Sequence, residues 1–342
     1  MMSLVAAIFA AWLMSAASIT EAAVPEGNDE GWYWISSDDK YSKYYLPKET
    51  KATKSAKVAD KDVATVIHAW TKTAYSYGGA QETIENYGLT AVISNPGNLA
   101  YSLALLEVHP QNRTIEYVQE IFYNASGKVL WSKEYTTRTV KEINSQSFDE
   151  DFYTAIVDQI FRHGETDRRK AQDRWIDLWT LTNASGTESC IADTTTMRLK
   201  GDNLIYWEWI EKKDTAGNVR SIQFLKKAVN VEMNTERTIT GKLWTPQAGW
   251  ADAEADRVYS AVPSIPERQA GLNRLKAYVS GYQYWLHRYS LDPSKKDVAK
   301  DTQMKVSAQG ETVVPKKLRF ESTPAPIAGR VTNVAEVKPE QI

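Results

Sequence analysis

Two stretches far apart in the chain, Val66-Ile67-His68-Ala69-Trp70 and Ile205-Tyr206-Trp207-Glu208-Trp209, share one design: β-branched and aromatic residues run into a tryptophan, and a charged segment follows. Such runs form strands, because branched and ring side chains pack well on a pleated, half-buried surface. Their recurrence is the feature that most constrains the fold. A chain that repeats a strand-rich unit has to bury one sheet face per unit, so the architecture is set by what covers each sheet.

With the chain split near Arg168-Arg169-Lys170, further landmarks recur in order. Trp32-Tyr33-Trp34-Ile35 matches Trp175-Ile176-Asp177-Leu178-Trp179, and Tyr44-Tyr45-Leu46 matches Ser189-Cys190-Ile191. Thr-containing segments follow, Lys48-Glu49-Thr50 and Asp193-Thr194-Thr195. Glu107-Val108 with Asn112-Arg113-Thr114-Ile115 is paired in this frame with Glu232-Met233 and Glu236-Arg237-Thr238-Ile239. Between Ile115–Tyr123 and Lys128–Trp131 the segment Asn124-Ala125-Ser126-Gly127 predicts a hairpin turn. Each unit closes on a Ser with an acid three residues later, Ser147/Glu150 and Ser264/Glu267, a capping-box spacing ahead of a helix. Pro266 suits the first helical turn, and Leu272, Leu275, Val279, Tyr282, Leu286 and Tyr289 line one face of a long helix. The expected class is α+β: two tandem domains, each an antiparallel β-sheet with a C-terminal helix packed on it.

The ends differ in character. Leu4 to Met14 is an apolar run followed by small residues up to Ala23, which reads as an export signal over residues 1–23, although no Lys or Arg precedes the run. The run is shorter than the roughly 20 residues of a membrane span, and no transmembrane span is expected after cleavage. The two domains are placed at residues 28–165 and 170–290. Residues 291–342, rich in Lys, Pro, Thr and Ala with Phe320 as the sole aromatic, cannot bury enough apolar surface to offset ordering and are expected to be disordered.

Composition excludes several classes. The 41 basic and 43 acidic residues nearly cancel and are interspersed, whereas a nucleic-acid binder concentrates Lys and Arg, so no nucleic-acid partner is expected. Cys190 is the only cysteine, which rules out an intramolecular disulfide, a thiolate metal cluster and a lipid-modified cysteine near the leader.

The order of landmarks, from opening Trp through aromatic pair, strand ending in Trp and Gly turn to Ser-led helix, resembles the surface-adhesin protein E family of bacterial exported proteins. The resemblance covers about residues 32–161 and again 175–285. It implies a small sheet packed on a C-terminal helix, placement in the periplasm, on the cell surface or outside the cell, and binding of protein partners. It transfers no binding residue, because the matching positions build strands.

No catalytic, metal or cofactor set is read from the residues. His68, His109, His163 and His287 show no metal-ligand spacing, and neither His-Glu-x-x-His nor Gly-x-Ser-x-Gly occurs. Glu107 and His109, two apart on a strand, share a face as an acid and base pair would, but no nucleophile accompanies them. Cys190 lacks a basic neighbour that would activate it and is expected to fill the core. Asn112-Arg113-Thr114, Asn124-Ala125-Ser126 and Asn183-Ala184-Ser185 match the short glycosylation pattern. Of the twelve tryptophans, Trp70 and Trp209 are expected at equivalent core positions, while Trp12 in the leader, Trp131, Trp207, Trp244, Trp250 and Trp285 are not explained by the repeat, and glycan contact is open to some of them. The expected function is non-enzymatic: binding a protein partner in an adhesin-like way, or a structural role in the cell envelope. A glycan- or peptidoglycan-binding module is the alternative, and a hydrolase a distant third.

Overall fold

The computed structural model of the protein describes residues 24–27 and 31–295. The expected export signal (1–23) and all but the start of the expected tail lie outside the described residues. Most of the fold is antiparallel sheet, divided between two sheets, with few helices.

In the first half the elements are β1 (Tyr33–Ser37), β2 (Tyr41–Tyr45), β3 (Lys51–Val58), β4 (Lys61–Tyr75), α1 (Tyr77–Tyr87), β5 (Tyr101–His109), β6 (Thr114–Tyr123), β7 (Val129–Glu134), β8 (Lys141–Glu142), α2 (Glu150–Phe161) and α3 (Glu165–Lys170). The second half has β9 (Trp175–Asn183), β10 (Gly186–Lys200), β11 (Asn203–Lys213), β12 (Val219–Asn230), β13 (Thr235–Thr245), β14 (Gly249–Asp252), β15 (Ser260–Ala261), α4 (Pro266–Gly281) and α5 (Gln283–Leu286).

The two sheets follow one path. The first runs β1-β2-β4-β5-β6-β7, with β3 on β4 and β8 on β6; the second runs β9-β10-β11-β12-β13-β14, with β15 on β13. β2 and β3 lie end to end along β4 and are separated by the 3₁₀ turn Pro47–Glu49. At the corresponding place β10 leaves its register with β11 between Asp193 and Arg198. Val118 is an extra residue between the pairs Leu106–Tyr117 and Leu105–Gln119, and Ile239 is the same bulge between Lys227–Thr238 and Lys226–Thr240. Both turns before the bulged strands end in a non-glycine residue with left-handed backbone, Arg113 (φ 55°) and Asn234 (φ 57°), a conformation few such residues adopt. The carbonyls of these two residues accept bonds of 2.9 Å from the Ile143 and Val262 amides, just beyond β8 and β15.

These pairings correct the frame read from the sequence. Arg113 corresponds to Asn234 and not to Arg237. Counting back along β5 and β12, Ile67 opposite Val108 matches Leu204 opposite Val229, so Trp70 corresponds to Trp207 and not to Trp209. Glu107 lies within β5, whereas Glu232 and Met233 sit in the turn after β12. The cause is the two-residue period of a strand: a slip of two leaves the apolar pattern intact, and Trp207 and Trp209 share a face.

One face of each sheet packs against a helix. Phe152, Tyr153, Ile156 and Val157 of α2 lie against Ile67, Ala69, Leu106 and Ile115. Leu272, Leu275 and Tyr278 of α4 lie against Leu178, Cys190, Tyr206 and Leu225. The close approach of α4 to β9 requires Gly271, where a Cβ would sit 2.9 Å from the Trp179 ring. The opposite faces carry aromatic clusters, Trp70 with Leu46, Tyr101 and Leu103, and Trp207 with Trp175, Trp209 and Phe224.

The hairpin expected at Asn124–Gly127 forms between β6 and β7, with the Asn124 carboxamide accepting from the amides of Ser126 and Lys128 and Gly127 at φ 77°. The expected capping boxes do not form. α2 starts after Asp149, and Ser147 instead bonds Asn144 and the Glu142 carbonyl; α4 starts at Pro266 with Ile265 ahead of it, and neither helix receives a side-chain cap. The long helix expected through Tyr289 breaks at Gly281, and Tyr289 packs into the core of the first half, its ring centroid 4.8 Å from that of Phe161. α1, which the sequence reading missed, is capped by Ser76 accepting from the Gly79 amide.

Candidate functional site

The junction between the halves is built on charge. Arg113, 2 % exposed, points from the β5–β6 turn toward the segment after α2. Its Nη1 donates to Glu165, its Nη2 to Glu150 Oε1 (3.2 Å) and its Nε to the Ile143 carbonyl (3.1 Å). Arg174 continues the chain of pairs, donating to Glu150 Oε1 (2.6 Å) and to Asp193 Oδ2 (2.8 Å) at the break in β10. The Tyr289 hydroxyl donates to Glu165 Oε2 at 2.5 Å. Burial alone would raise the Glu165 carboxyl, but Arg113 and Arg288 hold it below its ordinary value, so it stays ionised.

Beside this network a cleft of about 650 Å³ opens between the halves. Its walls come from the β5–β6 turn (Gln111, Asn112), the β10–β11 hairpin (Arg198, Lys200) and the segment after α5 (His287 to Lys295). The size is that of a ligand pocket. Five of its lining residues are Arg or Lys and two, Glu142 and Asp292, are acidic. Lys226 bonds Glu142 at 2.5 Å. Arg198 differs from the arginines of the network. It is half-buried, its guanidinium donates to the Asn112 carbonyl at 2.8 Å, and no carboxylate of the described residues lies within ion-pairing distance. Burial, with Arg113 and Arg288 close by, holds its pKa below the ordinary value against the opposing pull of Tyr153 and Glu142.

A second cluster lies on the helix-free face of the first sheet. Glu107 and His109 share that face as expected, and β6 places Glu116 directly opposite Glu107. His68, opposite Glu107 on β4, joins them, its Nε2 3.0 Å from Glu107 Oε2, and Arg138 donates to the same oxygen at 2.9 Å. Burial would raise Glu107, but the His68 bond, Arg138 and His109 bring it below its ordinary value. One ligand atom each of Glu107, His109 and Glu116 falls within 4.8 Å of the others.

The remaining candidates have structural surroundings. His163 lies against Tyr284, its Nδ1 3.2 Å from the hydroxyl, and burial lowers its pKa; His287 lines the cleft and is lowered by burial and by Lys295. Cys190 is 1 % exposed in the α4-side core, where burial raises its thiol well above the ordinary value, so it is no nucleophile. Asn124 and Asn183 build turns with their own carboxamides, and Asn112 belongs to the cleft wall. Of the tryptophans not explained by the repeat, Trp207 and Trp285 are buried, and Trp244 and Trp250 are half-buried. Neither the buried arginine network nor the cleft was foreseen. Arg113 stands in the sequence as a strand landmark and inside a glycosylation triplet, neither of which points to burial, and its left-handed backbone leaves no local signal.

No protein-family model matches the chain, and no curated protein matches it. No helix among the described residues is long and apolar enough to cross a membrane.

Proposed function

We propose that the chain is an exported, non-enzymatic binding protein made of two divergent sheet-plus-helix domains, about residues 28–165 and 170–290, which holds an acidic segment of a protein partner in the cleft between them. The observation that carries this reading is Arg198: a half-buried guanidinium with no carboxylate of the described residues within ion-pairing distance, at a cleft whose charged lining residues are mostly basic. A half-buried cation gains from an anion delivered by a partner, because a charge-assisted, bidentate pair strengthens as the partner excludes water from it. The shared strand path, bulge and turn support descent of the halves from one unit, and the pattern similar to the surface-adhesin protein E family points to the same class of activity.

The test uses fluorescence anisotropy with labelled hexaglutamate and hexaglutamine peptides. Hexaglutamate is expected to bind saturably and to weaken with salt, hexaglutamine to bind at least ~10-fold more weakly, and Arg198→Met to remove the difference. Equal binding of the two peptides, or an Arg198→Met protein that binds as the native one does, overturns the cleft reading. A second reading, glycan binding on an exposed ring, is favoured by Trp34 on β1, which is 54 % exposed. Quenching of tryptophan fluorescence by an envelope glycan, lost in Trp34→Ala, would choose it.

A further inference from the structure

The geometry points to a divalent-metal site on the helix-free face of the first sheet, with Glu107, His109 and Glu116 as ligands. Two carboxylates directly opposite each other on neighbouring strands repel, and both are more than four-fifths buried, where water screens them poorly. Arg138 and His68 offset part of this at Glu107 Oε2, and a cation between the two facing oxygens would offset the rest. His109 aims its Nε2 into that gap, 3.3 Å from Glu107 Oε1 and 3.4 Å from Glu116 Oε1. This nitrogen is sealed from solvent yet makes no hydrogen bond, so it points between the two oxygens and at neither.

Such an arrangement is what ligands around an ion look like. For bonds of ~2.1 Å to a tetrahedral centre the ligand atoms are about 3.4 Å apart. The other oxygen of Glu107 is taken by His68 and Arg138, which orients Oε1 toward the gap as outer partners of metal ligands do. One imidazole nitrogen and two carboxylate oxygens suit a first-row ion such as Zn²⁺, with a fourth position on the solvent side. Calcium, which takes ~6–8 oxygen ligands, is poorly served. The strands hold the three ligands rigidly, since Glu107 and His109 are fixed by the pleat and Glu116 by the β5–β6 register.

The full chain, treated with chelator and dialysed, is titrated calorimetrically with Zn²⁺ and separately with Ca²⁺. One saturable equivalent of zinc is expected, with no comparable calcium binding. Glu116→Gln and His109→Gln are expected to weaken zinc at least ~10-fold and His68→Gln by ~10–100-fold, whereas His163→Gln and His287→Gln leave it unchanged. Circular dichroism without metal checks that the variants fold. X-ray absorption of the zinc-loaded native protein provides a readout that needs no variant, with a single imidazole in the coordination shell expected. Absence of saturable zinc binding, unchanged affinity in folded Glu116→Gln and His109→Gln, or two or more imidazoles around the ion overturns the assignment.

Discussion

The β5–β6 turn and the β12–β13 turn have one backbone shape and two uses. Each ends in a left-handed residue whose carbonyl takes the amide just past a short final strand. Asn234 is exposed beside Met233, itself 72 % exposed, at a free end of the second sheet. Arg113 is buried and reaches Glu165 and Glu150, and Arg174 links Glu150 onward to Asp193 in the second half. An asparagine tolerates this backbone, while a long side chain there is disfavoured by ~1–2 kcal/mol. The arginine is accommodated because its ion pairs offset that strain. The comparison teaches that the turn belongs to the fold and the docking belongs to the side chain placed on it.

Glu165→Gln is the strongest way to break the contrast. It removes the main counter-charge of Arg113 and leaves one carbonyl oxygen where Arg113 and Tyr289 now have two, and loss of one partner from a buried pair costs about 3–5 kcal/mol. Urea unfolding should show that loss, and a change below ~1 kcal/mol would mean that Arg113 does not depend on the pair. Trp70→Ala and Trp207→Ala test the corrected frame. Both rings are buried on the helix-free faces, and each substitution is expected to cost about 3–5 kcal/mol. Equivalence fails if one is costly and the other neutral.

The halves also differ in the α1 region, where Glu120 is buried among Tyr87 and Tyr135, each donating to it at 2.5 Å. Burial pushes its carboxyl up to about 7, from an ordinary 4.5. The folded state therefore holds this proton more tightly than the unfolded chain does. Its contribution to stability is complete below pH ~4.5 and is lost as the pH rises through ~7, amounting to on the order of 3 kcal/mol. Glu120→Gln should unfold at a higher temperature than the native protein at pH 8 and show no such advantage at pH 4.5; parallel pH profiles would contradict this. The smallest effect is expected at the exposed turn, where Asn234→Gly should shift stability by less than ~1 kcal/mol.

Strands, hairpin and helix-forming stretches were legible because alternation and turn residues act locally: Val66–Trp70 and Ile205–Trp209 fall inside β4 and β11, and Asn124–Gly127 is the turn. Register was not, since tryptophans two residues apart fit either alignment. The capping boxes failed because Ser147 is drawn into bonds with Asn144 and Glu142 before it can cap α2. Of the sites, only the Glu107 and His109 pairing could be read, from their spacing of two. Glu116 and His68 join them through strand pairing, and Arg198 meets Asn112 across 86 positions, which no local pattern encodes.

Residues of both halves line the cleft, and hydrogen–deuterium exchange with saturating hexaglutamate tests directly whether both take part in binding. Slower exchange is expected together in residues 110–114 and 198–205, the two walls of the cleft on opposite sides of the junction. Protection confined to one half, or appearing instead around Tyr33 and Trp34, would contradict it.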